Sequence, residues 1–169
     1  MTASVSKRRV SATVTTNVAV DQETAFHVFT EEIDLWWLRG PRYRNDARPS
    51  TMKLEPGVDG RLLEIFHDPK YAPFILGKVL VWEPYSRFVL EWRLSNFAPE
   101  ESTEVDVVFE PTEKGTRVVV EHSGYHDLRA DHPARHGHDG FALSRMVGTW
   151  WAEMVSSFRA RTLARKPLP

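Results

Sequence analysis

Between Ser50 and Ser123 the sequence takes up a two-residue period and is cut at short intervals by turn chemistry. Strands are expected at Ser50–Glu55, Gly60–His67, Phe74–Glu83, Arg87–Asn96, Thr103–Glu110 and Thr116–Ser123. The breaks are Pro56-Gly57, Asp68-Pro69, Pro84-Tyr85 and the stretch from Pro111 to Gly115, residues suited to tight turns. Gaps this short allow only hairpins, so the strands form an antiparallel sheet in meander order. Such a sheet must cover one face. The only long cover in the chain is a helix from about Phe141 to Leu163, in which Leu143, Val147, Trp150, Met154 and Phe158 recur at spacings of three and four.

Upstream, Val10, Ala12, Val14 and Thr16 alternate with polar residues, as a half-buried strand over about 9–20 would. Asp21 is a good N-cap for a helix from Gln22 to Phe29, with Ala25, Phe26 and Phe29 on one stripe. Thr30 can cap a second short helix that has Glu31 and Glu32 in its first turn and ends in Leu35, Trp36 and Trp37. Arg39–Pro49 reads as a loop, and so does the His-rich stretch from Gly124 to Gly140. The basic cluster Lys7, Arg8, Arg9 is followed by no apolar run and reads as part of a loose end rather than a targeting segment.

The expected fold class is therefore α+β: a curved antiparallel sheet gripping a long C-terminal helix, with two short helices after the first strand. One domain is expected over residues 9–163, with flexible termini at 1–8 and 164–169. If the sheet curls around the helix, the gap between them is a concave apolar pocket, the usual setting for a small ligand.

Composition removes several functions. Lys plus Arg is 22 against 23 for Asp plus Glu, a net charge of −1, which argues against a nucleic-acid partner. The absence of cysteine excludes disulfides, thiol nucleophiles and thiolate metal sites, and fits a cytoplasmic location. No apolar run reaches the length of a membrane span. No Gly-rich phosphate loop, GxSxG elbow or dinucleotide fingerprint is present, and no cofactor is implied.

Alternation assigns faces to the strands. Leu62, Glu64 and Phe66 share one; so do Phe88, Leu90, Trp92 and Leu94; then Val105, Val107 and Phe109; then Val118, Val120 and His122. In Phe74–Glu83 both phases are apolar, and Leu80 with Trp82 is taken as the inward pair; a one-residue bulge would reverse it. Two ionisable groups, Glu64 and His122, thus fall on apolar faces, where they can polarise a carbonyl or act as acid and base. The plainer alternative places Glu64 at the sheet edge beside an arginine and bonds His122 to the backbone. The tryptophans Trp82, Trp92, Trp150 and Trp151 are candidate cavity walls with Trp36 and Trp37 at the mouth, although large aromatics also simply fill cores. Trp150 and Trp151 lie about 100° apart around a helix, so only one is core. His122, His126, His132, His136 and His138, with Asp127, Asp131 and Asp139 nearby, match no recognised metal pattern, and a solvated lid over the cavity is expected instead.

Several segments together resemble a known family: Ala25-Phe26 with Phe29-Thr30, Trp36-Trp37, Gly77-Lys78-Val79-Leu80-Val81-Trp82-Glu83-Pro84, Phe88-Val89-Leu90-Glu91-Trp92, Thr103-Glu104-Val105, and Gly115-Thr116-Arg117 running into Glu121-His122-Ser123-Gly124. They are similar to the START-like SRPBCC superfamily, the helix-grip fold, and most of all to single-domain relatives of the activator of heat-shock-protein ATPase. The resemblance implies a fold and a cavity but no fixed catalytic set. It leaves three functions: non-enzymatic binding of a small hydrophobic or amphipathic molecule, a cyclase-like or dehydratase-like enzyme using Glu64 and His122, and a chaperone partner acting through its surface. The last is weakened because the family's regulators carry an additional N-terminal domain. The residues expected at the ligand are Trp37, Leu62, Glu64, Phe66, Trp82, Leu90, Trp92, Val107, Val120, His122, Val147, Trp150 and Trp151.

Overall fold

The computed structural model describes residues 11–165. The chain runs β1 (Ala12–Val18), α1 (Gln22–Glu31), α2 (Ile33–Trp36), β2 (Ser50–Leu54), β3 (Arg61–Phe66), β4 (Phe74–Glu83), β5 (Arg87–Trp92), β6 (Thr103–Thr112), β7 (Gly115–Ser123) and α3 (Gly140–Ala164). The expected loose end at residues 1–8 lies outside the described residues. At the other terminus Ala164 still belongs to the helix.

Strands β2 to β7 form the expected meander, and β1 joins at the free edge of β7, giving one seven-stranded sheet in the order β1-β7-β6-β5-β4-β3-β2. Every pairing is antiparallel. The sheet curves around α3, whose buried face is Leu143, Val147, Trp151, Met154, Val155, Phe158 and Thr162. The buried tryptophan is therefore Trp151, not the Trp150 expected on that stripe. Two serine hydroxyls fasten the helix at either end, Ser144 donating to the Ser11 carbonyl (2.7 Å) and Ser157 to that of Trp36 (2.6 Å).

Helix α1 starts where Asp21 accepts from the Thr24 amide (2.7 Å), and hydrogen bonding to the Thr24 side chain and amide lowers the Asp21 pKa. Thr30 does not cap the next helix: it is buried within α1, its hydroxyl turned back to the Phe26 carbonyl (2.8 Å). Phe26, Phe29, Trp36, Phe88, Phe109 and Phe158 mesh edge to face into an aromatic core between the short helices, the sheet and α3.

Strand β4 carries two register shifts, one against β3 and one against β5. The second lies between Val79 and Val81, so Val79 pairs with Leu90 and Trp82 with Phe88. Leu80 is the extra residue and is 39% exposed while Val79 is fully buried. The inward phase expected for Leu80 is thus corrected, and that of Trp82 is kept, because the bulge shifts the alternation by one residue.

Candidate functional site

A cavity of about 60 Å³ opens to the surface between the ends of β5 and β7, the middle of α3 and the loop after α2. Its walls are Trp37, Trp92, Trp151, Tyr125, Val147 and Met154, all buried, with His122 among them. Arg42, Tyr43, Leu94 and Trp150 stand nearer the surface. Trp37 stacks on Trp92 with 5.7 Å between ring centres and 23° between planes. Trp151 meets both edge-on, at 6.3 Å and 6.0 Å. Two of the indole N–H groups are used inside the walls: Trp37 donates to the Tyr43 carbonyl (2.9 Å) and Trp151 to His122 Nδ1 (3.0 Å).

That last bond settles the state of His122. Nδ1 accepts an indole proton and so carries none, which leaves the ring proton on Nε2, 2.7 Å from the Thr103 hydroxyl. Burial pushes the His122 pKa down from 6.5 to about 3, so the ring is neutral near pH 7. Beside it, with 4.8 Å between ring centres, sits Tyr125, whose phenol is pushed up by burial. Tyr125 reaches the cavity because Gly124 turns the chain at φ +99°, a conformation that favours glycine.

The mouth is clasped. The Tyr43 hydroxyl donates to Glu153 Oε2 on α3, and Arg42 Nη1 stands 3.6 Å from the same oxygen. On the next turn toward the surface, the His136 ring packs edge-on against Trp150 at 5.5 Å. The loop bearing Arg42 and Tyr43 is held from behind by buried polar groups. Arg44 reaches Asp34 (3.2 Å) and the carbonyls of Leu38, Trp37 and Ser50. Glu64, fully buried, accepts from the Asn45 amide (3.0 Å), the Asn45 side chain (3.1 Å) and the Ser50 hydroxyl (2.9 Å).

Glu64 and His122 do not meet. They lie on β3 and β7, four strand spacings apart, roughly 19 Å along the sheet. Both functional groups of His122 are already hydrogen-bonded, and Glu64 anchors a loop. The expectation that they form an acid–base pair is corrected on these grounds.

Of the residues expected at a ligand, Trp37, Trp92, His122, Val147, Trp150 and Trp151 come together around the cavity. Leu62, Leu90, Val107 and Val120 are buried in the filled core. Trp82 packs on Phe26 (5.1 Å) at the α1 side of the sheet. Phe66 lies under the Arg48 guanidinium, next to Tyr71, away from the cavity. Arg42, Tyr43, Tyr125 and Met154 were not among the expected residues. An aromatic in the arginine-rich Arg39–Pro49 loop and another just after a glycine are the signals by which the sequence could have disclosed Tyr43 and Tyr125.

The His-rich loop is not a solvated lid. His132, Ala134, Arg135 and Leu128 are buried, and Arg135 ties the loop to itself through the carbonyls of Leu128 and His138. His132 Nδ1 accepts from the Ala134 amide (3.0 Å). Among the described residues no three His, Asp or Glu side chains converge as metal ligands, and no helix is long and apolar enough to cross a membrane.

A curved antiparallel sheet wrapped on a C-terminal helix, with an apolar cavity where they meet, defines a helix-grip protein of the START-like SRPBCC class. A family model described as Activator of Hsp90 ATPase homolog 1-like protein matches residues 19–148, and the chain belongs to that family. Protein MLL2253 of Mesorhizobium loti is similar in fold at 18% identity, with a TM-score of 0.63 over 94% of this chain and 99% of that one. An Hsp90 activator from Plasmodium falciparum is also 18% identical, with a TM-score of 0.60 over 89% of this chain and 94% of its own. DynU16, a protein of the dynemicin biosynthetic locus, is 14% identical with a TM-score of 0.63; the match covers 93% of this chain but 48% of that one. None of the curated proteins matches the chain in sequence.

Proposed function

We propose that this protein is a non-enzymatic, cytoplasmic binding protein that takes the apolar part of a small amphipathic molecule into the cavity between β5, β7 and α3. The observation that carries this reading is the composition of the walls: four tryptophans and two tyrosines gathered around one opening. Such rings offer large apolar area at low entropic cost. The cavity of about 60 Å³ has room for about two waters, whereas pockets for drug-sized ligands are several hundred Å³. Occupancy therefore requires the mouth to part, and the side chains of Arg42, Tyr43 and Glu153 that clasp it are partly or fully exposed. Native mass spectrometry of freshly purified protein, together with titration of a naphthalene-based fluorescent probe, tests the reading. A co-purified small molecule or saturable probe binding supports it; neither result at any concentration removes it.

A second reading, engagement of a chaperone ATPase, is favoured by membership of the family itself. Its test is the steady-state ATPase rate of Hsp90 with and without this protein. Acid–base catalysis by Glu64 and His122 has no comparable support, because the two groups are apart and His122 is held neutral.

A further inference from the structure

We propose that the mouth of the cavity selects a carboxylate, so that the ligand is a flat apolar molecule bearing an acidic head group, with Glu153 standing in its place until it arrives. The inference rests on the cavity being a binding site and specifies what that site takes.

Two neighbouring residues, Arg42 and Tyr43, both line the cavity, and both address one oxygen, Oε2 of Glu153. Glu153 itself is not among the lining residues. A guanidinium and a phenol aimed at one carboxylate oxygen form a ready acceptor site for a carboxylate. The backbone that carries the donors is fixed in position. Tyr43 is tied to the cavity wall through its carbonyl, which accepts from Trp37, and the loop is anchored one and two residues later by Arg44 on Asp34 and by Asn45 on Glu64. The ion pair itself is loosely held. The Glu153 side chain is 47% exposed, as Arg42 is 53% exposed, and an exposed ion pair of this kind contributes little stability.

A ligand carboxylate that takes over Tyr43 and Arg42 leaves Glu153 free to be solvated, and the clasp opens in the same exchange. A neutral head group has no such route. It must break the clasp and leave the guanidinium with a weaker partner. Selectivity thus follows from the two donors of the clasp, and affinity from the tryptophan walls. No proton or electron moves in this exchange.

The test uses 2-naphthoate and its neutral counterpart 2-naphthalenemethanol, titrated into the full chain by isothermal calorimetry at pH 7. The wild-type protein is expected to bind the carboxylate about fivefold more tightly than the alcohol. Arg42→Gln and Tyr43→Phe should bring that ratio toward one, because the donors that favour the carboxylate over the alcohol are gone. Glu153→Gln should raise the ratio several-fold, because a competing charge is gone. All three positions are partly or fully exposed, so loss of fold does not confound the result. Equal binding of the two probes, or a ratio indifferent to Arg42→Gln, overturns the head-group assignment and leaves the cavity standing. Failure of both probes to bind overturns the cavity reading and this inference with it.

Discussion

The indole N–H of Trp151 donates to Nδ1 of His122 across 3.0 Å, joining the middle of α3 to the far end of β7. Through this bond the helix fixes the tautomer of a buried imidazole, and the imidazole fixes which tryptophan of the Trp150-Trp151 pair turns inward. The cavity floor is built around it.

The bond has a consequence for pH. Burial lowers the folded-state pKa of His122 from 6.5 to about 3. A group with a depressed folded pKa contributes stability above its unfolded value and loses it as pH falls. Between pH 6.5 and about 3 the unfolded chain takes up a proton that the native chain refuses. Unfolding free energy should therefore fall on acidification with a slope approaching 1.4 kcal/mol per pH unit from this residue. Denaturant melts at pH 7.5 and 5.0 should show the loss in the wild type. His122→Asn keeps an acceptor for Trp151 and should flatten most of the difference, before the carboxylates titrate. An unchanged pH dependence in that variant would detach the effect from His122.

Glu64 should behave as an anchor. Removing its carboxylate in Glu64→Ala strands the Asn45 amide, the Asn45 side chain and the Ser50 hydroxyl in a buried site. The expected cost is on the order of 3 kcal/mol. Glu64→Gln can still offer its oxygen to Asn45 and its amide to Ser50, so about half that loss or less is expected. Neither change should alter the affinity of an aromatic probe by more than about twofold beyond the effect of loop loosening. A selective loss of probe binding in Glu64→Gln, with the melting point intact, would return Glu64 to the ligand.

Much of this was legible in residues, and the failures have local causes. The six hairpin strands announce themselves because a period of two and proline or glycine turns are short-range signals. The separation of Glu64 from His122 was implicit in the meander, which already sets β3 and β7 four strands apart; a shared face says nothing of lateral distance. Leu80 misleads because Leu80 with Trp82 and Val79 with Val81 are equally apolar, and only pairing with β5 reveals the bulge. Trp150 and Trp151 both satisfy helical spacing from Val147, at three and four residues. A contact 29 positions away in sequence decides between them. Arg42 and Tyr43 carry no periodicity at all, since loop residues gain their places from the buried anchors behind them.

Two of the four tryptophans around the cavity, Trp92 and Trp150, should separate stability from binding. Trp92 is 8% exposed, stacked on Trp37 and edge-on to Trp151, and Trp92→Ala is expected to cost about 3–5 kcal/mol. Trp150 is only half buried at the mouth, so Trp150→Ala should cost about 1 kcal/mol and widen access. Stopped-flow mixing with a naphthalene probe should show a faster association rate for Trp150→Ala. A Trp150 variant as unstable as the Trp92 one would mean that the mouth is part of the core.

The bulge in β4 can be read by a pair of substitutions. Val79 is fully buried and Leu80 is 39% exposed. Val79→Ala should lose about 2 kcal/mol through the methyl groups removed from the core. Leu80→Thr, on the convex face, should change stability by no more than about 0.5 kcal/mol. Equal losses at both positions would mean that the strand is regular and the bulge is misplaced.

Gly77 is the position where the sheet tolerates no side chain. It lies on β4 opposite Leu62 on one side and Trp92 on the other, on the inward face and close to the first register shift. A Cβ added there would stand 1.7 Å from the Glu91 carbonyl oxygen, and that neighbour is backbone that cannot rotate away. Gly77→Ala must therefore push β4 off β5 at the rung that carries Trp92. The expected loss is on the order of 3 kcal/mol or more, far above the usual effect of alanine in a strand. Because the displaced rung holds the Trp37–Trp92 stack, near-ultraviolet circular dichroism of the tryptophans should weaken even in conditions where the variant stays folded. A Gly77→Ala protein with wild-type stability and an unchanged tryptophan signal would show that the two strands are further apart than this close approach implies.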